Sequence, residues 1–185
     1  SQDPAEWRRI HEVDLLGVWR TVRAGLEDVI AAGGQFVLVS SSYAFMNGMI
    51  NSAYASSKAG VEALGRALRT ELTPLGASAT VAYFGWIDTP MVADAFADPV
   101  VDRLRHEALP AWATRRVPAE RAGGAIVRAL ERRSPRAIAP AEWRALFYGR
   151  GLLGPLVDGR MAEDAAVARA VRAIESGEPG AGGPA

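Results

Sequence analysis

The 185-residue sequence contains no cysteine, which removes disulfide frameworks, thiolate metal sites and cysteine nucleophiles together. Histidine is almost as scarce: His11 and His106 are the only two, without His-Glu-x-x-His spacing, so no metal site is expected. Acidic and basic side chains number 21 each; without the basic excess of a general nucleic-acid binder, that partner is not expected either. No apolar run approaches the roughly 18 residues of a membrane span, and no basic-then-apolar signal opens the sequence. A cytoplasmic protein with no membrane span is the expectation. Lysine is the most telling shortage. Lys58 is the one lysine among 21 basic residues, which reads, with abundant Ala and Gly, as a coding bias that puts arginine wherever it serves. A lysine that survives such a bias does something arginine cannot. It offers a compact charge of movable pKa in place of a broad, planar, permanently charged fork.

What is present is ordinary globular composition, 49% hydrophobic and 23% charged, enough for one domain with a proper core and a terminal extension. Asp3-Pro4 reads as an N-cap with proline at the first helical position, and apolar residues recur at three and four from there to about residue 31. Gly33-Gly34 ends that helix. Phe36-Val37-Leu38-Val39 predicts a strand buried on both faces, running into Ser40-Ser41-Ser42. A second helix is predicted over about 52–72, stopped by Pro74 and Gly76, and a second strand over 80–84, ending at Gly85. Residues 88–116, with Pro90, Pro99 and Pro110, read as a long, irregular, mobile connection. A helix from Pro118 to about 132, a weak strand over 136–139 and a mixed helical segment over 141–175 follow. Gly123-Gly124 reads as a helix-packing pair, and Arg115-Arg116 and Arg132-Arg133 as solvated charge. Alternating helix and apolar strand implies a parallel sheet with helices on both faces, where ligands bind beyond the carboxyl ends of the strands. Those ends are Ser40-Ser42 and Gly85-Thr89.

Tyr54 and Lys58 stand four apart on a predicted helix, one turn from each other on one face. An ammonium beside a phenol favours the phenolate, lowering the tyrosine pKa from about 10 toward neutrality and making it a usable general acid and base. Tyr-x-x-x-Lys alone is a weak pattern, and an amphipathic helix that carries both residues without a shared task is the alternative.

Ser41, Tyr54 and Lys58 lie in Val-Ser-Ser-Ser and Tyr-Ala-Ser-Ser-Lys-Ala-Gly, with 13 residues from serine to tyrosine and Gly-Trp-Ile-Asp-Thr-Pro-Met after the next strand. Together they resemble the short-chain dehydrogenase/reductase family over about residues 4–140. The resemblance implies an α/β fold of the Rossmann type, a doubly wound parallel sheet. It also implies hydride transfer between NAD or NADP and a secondary alcohol or its carbonyl counterpart. Under it Tyr54 is the proton donor or acceptor. Lys58 lowers the tyrosine pKa and hydrogen-bonds the nicotinamide ribose. Ser41 holds the substrate oxygen, with Ser42 as its substitute if the loop register slips by one. Ile87 and Thr89 would meet the nicotinamide end of the cofactor, and Gly85, Tyr54 and Lys58 complete the cofactor-binding set.

Asp14 stands 27 residues before Ser41, where the family usually carries an asparagine that holds a water in a proton relay. It joins Ser41, Tyr54 and Lys58 as a catalytic candidate, although a half-exposed helix aspartate is an equal reading. Phe84 stands where the family usually has proline before Gly85. No glycine-rich phosphate-binding turn is present, so the sequence reads as the C-terminal two-thirds of a member, its first strands and that turn lying outside it. The expected organisation is a Rossmann-type catalytic unit over 1–140, a helical extension over 141–176 and a disordered tail over 177–185. Trp143, Leu146, Phe147, Leu152, Leu153 and Leu156 make the extension apolar. They read as packing against the sheet or a partner subunit, or as a lid over an apolar substrate or a peripheral membrane contact. His106 reads as a surface residue. The leading expectation is an NAD(P)-dependent oxidoreductase of an apolar secondary alcohol, a homodimer or homotetramer paired through its two long helices as the resemblance implies. Its competitor is a non-catalytic relic of the family acting in interaction or dimerisation, which the missing glycine turn favours and the intact Ser41, Tyr54 and Lys58 disfavour.

Overall fold

Alternation along three strands divides the faces of one sheet between two sets of helices. The computed structural model describes residues 3–176, and the tail expected over 177–185 lies outside the described residues. Strands β1 (Gln35–Ser41), β2 (Ser78–Phe84) and β3 (Arg136–Ala139) pair in parallel in the order β1-β2-β3. Leu38 sits opposite Val81, and Ala82 opposite Ala137. On one face Leu38 and Ala79 pack with Val22 of α2 (Gly17–Ala31) and with Val61, Leu68 and Leu72 of α3 (Ser52–Leu72). Farther along that face Val81, Tyr83 and Ile138 meet Trp143 and Phe147 of α8 (Trp143–Ala162). The other face carries Ala82, Ala137 and Ala139 against Ala125 and Ala129 of α7 (Ala119–Glu131), small residues that let helix and sheet approach closely. This is the parallel sheet with helices on both faces expected from the alternation of elements, but β1 is not buried on both faces as expected: it lies at the edge of the sheet and Val39 is 46% exposed.

The first long helix is interrupted. Its opening part α1 (Pro4–His11) is capped as expected, Asp3 accepting the Ala5 N–H at 3.2 Å. A π turn over Glu12–Leu16 then leads into α2, with the Gly17 N–H reaching back to the Glu12 carbonyl. Trp7, Leu16 and Trp19 remain exposed on this helix, the surface through which the expected pairing of subunits would run.

Three further expectations are corrected. Residues 88–116 hold α4 (Pro90–Ala95), α5 (Pro99–Ala108) and α6 (Ala111–Thr114). Their prolines open helices, because proline at the first turn lacks only an N–H that has no helical partner there. Thr89 and Asp98 cap α4 and α5, accepting the N–H groups of Val92 and of Val100 and Val101, and Pro110 directly precedes α6. Arg133 is not merely solvated charge. Its guanidinium donates to the carbonyls of Gly33, Gly34 and Gly76, so it ties together the turns that enter β1 and β2. Gly33 and Gly76 have φ of 56° and 77°, a region glycine enters without steric cost. The Gly123-Gly124 pair is not a packing device: a Cβ at Gly123 would meet nothing within 4 Å, and one at Gly124 only Arg128 of its own helix.

The C-terminal helices are joined to the rest by both apolar and charged contacts. Besides Trp143 and Phe147, α8 sends Arg150 to a bidentate pair with Glu62 of α3, at 2.5 and 2.8 Å. Helix α9 (Ala165–Ser176) packs Ala166 and Ala170 on Leu104 of α5 and on Met49 and Ile50, in the loop before α3. Tyr148, Leu152 and Leu156 stay exposed on α8. No helix among the described residues is long and apolar enough to cross a membrane.

Candidate active site

The register places Ser41, the last residue of β1, opposite Phe84, the last of β2, so the carboxyl ends of the two strands lie side by side. Ser41 turns its backbone out of the sheet and caps a short 3₁₀ turn, accepting the Tyr43 N–H at 3.3 Å. Its neighbour Ser40 donates to the Lys58 carbonyl at 2.8 Å and pins α3 to the strand end. Gly65 completes the approach, since a Cβ there would stand 2.4 Å from a Val81 methyl. Tyr54, in the first turn of α3, stands near enough to the Ser41 hydroxyl for that group to favour its phenolate, while the same hydroxyl lies 3.5 Å from the Phe84 carbonyl to which it donates. Ser41 is therefore the serine that reaches the tyrosine; Ser42 is buried inside the turn.

Lys58 projects from the next turn, with Nζ 5.3 Å from the Tyr54 ring centre and 3.5 Å from Oδ1 of Asp14. The side chains of Lys58 and Asp14 are 12% and 28% exposed, so water screens their charges only partly. Asp14 comes from the π turn, and that turn can approach α3 because Gly60 has no side chain: a Cβ there would lie 2.9 Å from both Leu15 methyls. The fold brings Ser41, Tyr54, Lys58 and Asp14, the four catalytic candidates of the sequence, to one place.

The electrostatics differ from the simple Tyr-Lys expectation. Burial raises the Tyr54 pKa above its ordinary value, the Ser41 hydrogen bond partly offsets this, and the Asp14 charge adds to the rise. Tyr43 is pushed up to about 12, first by burial and then by the Tyr54 charge, which leaves it protonated at any working pH.

An aromatic wall stands beside these groups. Tyr43 meets Tyr54 edge-on at 5.6 Å and Trp86 at 5.9 Å, and Trp86 meets Phe96 at 4.9 Å. Sequence reasoning missed this wall. Its signal was present, since Tyr43 lies two residues past Ser41 and Trp86 directly follows Gly85, but aromatic residues there read equally well as core.

Gly85, Ile87 and Thr89 follow β2 as expected, each with a structural task. A Cβ at Gly85 would lie 2.5 Å from the Trp143 indole nitrogen. Ile87 bridges to Val117, with flanking bonds from Asp88 N–H to the Val117 carbonyl at 2.8 Å and from Val117 N–H to the Trp86 carbonyl at 3.0 Å. Thr89 donates to the Ile87 carbonyl at 3.3 Å while capping α4. His106 is exposed on α5 and bonds within its own helix, apart from these groups.

Comparison with known proteins bears on this arrangement. The family described as short chain dehydrogenase matches residues 1–99. The cis-4-hydroxycyclohexanecarboxylate dehydrogenase of Sinomonas cyclohexanicum is 37% identical over 97 residues, 52% of this chain and 39% of that protein. The trans-4-hydroxycyclohexanecarboxylate dehydrogenase of the same organism is 33% identical over 91 residues, 49% of this chain and 35% of that protein. The chain thus spans well under half the length of these curated relatives. A short chain dehydrogenase from Burkholderia cenocepacia J2315, solved in complex with NADP, superposes with a TM-score of 0.68 over 86% of this chain and 60% of that one, at 21% identity. That likeness concerns the fold.

Proposed function

From the premise that this chain belongs to the short-chain dehydrogenase family, we propose that the whole protein interconverts a ring-bearing secondary alcohol and its ketone with NAD or NADP. The observation that carries the reading is the convergence of Ser41, Tyr54 and Lys58 at adjoining strand ends, the Lys58 ammonium 5.3 Å from the Tyr54 ring centre. The residues present fit the nicotinamide-ribose end of such a cofactor. Among the described residues Asp14 is the one acceptor the Lys58 ammonium has, which leaves N–H donors for neighbouring ribose hydroxyls. The cofactor, when bound, supplies the site that takes up or gives back hydride.

The chain's own residues handle the proton. Tyr54 Oη takes the proton of the alcohol hydroxyl in oxidation and returns it in reduction. Ser41 holds the same oxygen and steadies the charge that develops there. Ile87 and Thr89 would border the nicotinamide, on a segment fixed by the Val117 bonds.

The substrate class follows from the aromatic wall of Tyr43, Trp86 and Phe96, which favours a compact ring over a flexible chain. The ring alcohols named for the two curated relatives agree with it. The test is steady-state kinetics on cyclohexanol and on an open-chain secondary alcohol of equal carbon number, with each dinucleotide. The ring substrate is expected to lead by about tenfold or more in kcat/KM, the scale of one well-filled pocket contact. Equal rates, or a lead for the open chain, would overturn the substrate class.

A further inference from the structure

Beyond β3, the last strand in the sheet order, lies a cluster of charge that the reaction does not use. A groove of about 300 Å³ runs there between the end of α7 and the start of α8. Arg128 and Arg132 reach it from the end of α7, Arg136 from β3, and Arg144 and Tyr148 from α8. No carboxylate is among the residues that line it. Among the described residues none of the four guanidiniums is in an ion pair. Glu142, two residues before Arg144, is held instead by Arg115 at 2.8 Å. Four like charges thus surround one small space in a chain whose acidic and basic residues are equal in number.

Stability does not account for this grouping. Arg128 and Arg132 suit the negative end of the α7 dipole, but Arg144 stands in the first turn of α8, where the dipole disfavours a cation. Arg136 is placed by aromatic rings. Its guanidinium carbon lies over Phe147 and Tyr148, 5.4 and 5.9 Å from their ring centres. Stacking of that kind occupies the faces of the fork and leaves its N–H edges free for an anion. The groove is also remote from the candidate active site. Arg136 opens β3 at its amino end, whereas Ser41 and Gly85 stand at the carboxyl ends of β1 and β2.

We propose that this groove binds a compact polyphosphate group, free or carried on a nucleotide, at a site separate from the one that handles the alcohol. Its volume lies at the small end of the range for small-molecule sites, which suits a few phosphates and not a length of polymer. A single carboxylate satisfies one guanidinium fork. Adjoining phosphates present oxygens in several directions and carry enough charge to offset all four arginines. Tyr148, 68% exposed, leaves an open ring at the rim on which a nucleotide base could stack. The binding does not depend on the chemistry of Tyr54.

The test is calorimetric titration of the full-length protein, without dinucleotide and at low ionic strength, with tripolyphosphate, ATP and orthophosphate. Tripolyphosphate is expected to saturate one site per chain and to bind about tenfold or more tighter than orthophosphate. Arg128→Gln and Arg144→Gln change exposed residues, so folding should persist. Each is expected to weaken tripolyphosphate by about tenfold or more, the scale of one hydrogen bond to a charged group. Arg121→Gln removes an equal charge from an exposed position of α7 outside the groove and should change the affinity by about twofold or less. ATP binding as tightly as tripolyphosphate would support a nucleotide as the source, and ATP binding at least tenfold more weakly would support free polyphosphate. Absence of saturable tripolyphosphate binding overturns the proposal. So does an affinity that both groove variants leave unchanged, which would place the anion elsewhere, or one that Arg121→Gln weakens as much, which would reduce the effect to overall charge.

Discussion

Lys58→Arg is expected to fold normally and to lose about a hundredfold or more in turnover, the lower end of what a general acid–base group contributes. Arginine is the residue this sequence uses at every other basic position, so the substitution asks what lysine alone supplies. The side chain is only 12% exposed, 5.3 Å from the Tyr54 ring centre and 3.5 Å from Asp14. A planar guanidinium is too broad for that space. It also pairs with a carboxylate by a two-pronged fork, which would draw it onto Asp14 and away from both the tyrosine and the ribose. Less positive charge then reaches the phenol, so the optimum for alcohol oxidation should move to higher pH. A surface lysine would behave differently, changing stability by less than about 0.5 kcal/mol and leaving activity intact. Turnover and pH profile of the variant, beside its denaturation midpoint, separate the two cases. An active Lys58→Arg protein with an unchanged profile would return the Tyr54–Lys58 pair to coincidence.

Trp143→Ala is expected to cost about 3–5 kcal/mol of stability, the range for emptying a large aromatic site in a core. Trp143 is 1% exposed. It packs against Phe45 and Trp112, with ring centres 6.3 and 5.5 Å away, and fills the space a side chain at Gly85 would need. Its indole N–H has no acceptor among the described residues, so Trp143→Phe gives up volume but no hydrogen bond and should cost much less. Leu152→Ala is the control on the same helix, because Leu152 is 79% exposed and should change stability by less than about 0.5 kcal/mol. Urea denaturation of the three variants gives the comparison. Near-neutral behaviour of Trp143→Ala would mean that α8 is an appendage, with the sheet stable without it.

The sequence carried much of this in its local chemistry. The run Phe36–Val39 marked a strand, though one buried on a single face, since Val39 is 46% exposed; the apolar stripe of Val61, Leu64 and Leu68 marked the helix that carries Tyr54 and Lys58, because periodicity follows directly from which face is buried. The prolines of 88–116 were misread for a stated reason. Thr89-Pro90 and Asp98-Pro99 carry the same cap-and-proline signature as Asp3-Pro4, but three prolines within a short span suggested irregular chain. Arg133 escaped because a guanidinium that bonds distant carbonyls looks, in sequence, like any other exposed arginine. The sign of the Tyr54 shift was not legible either. It depends first on the burial of the phenol, to which the Asp14 charge adds, and neither spacing nor composition encodes how deeply the strand ends and the turn after β1 enclose that ring.

The central claim is that Tyr54 exchanges the proton of an alcohol substrate, and one comparison tests it most directly. Wild type and Tyr54→Phe of the full-length protein are given cyclohexanol with NAD and with NADP, and the reduced nicotinamide is followed by its near-ultraviolet absorbance. Removing one oxygen from a residue in the first turn of α3 leaves the ring contacts with Tyr43 in place, so folding should persist. Wild type is expected to reduce at least one of the two dinucleotides, and Tyr54→Phe to lose about a hundredfold or more of that rate while keeping its denaturation midpoint within about 1 kcal/mol. A folded Tyr54→Phe variant that oxidises the alcohol at the wild-type rate would contradict the claim.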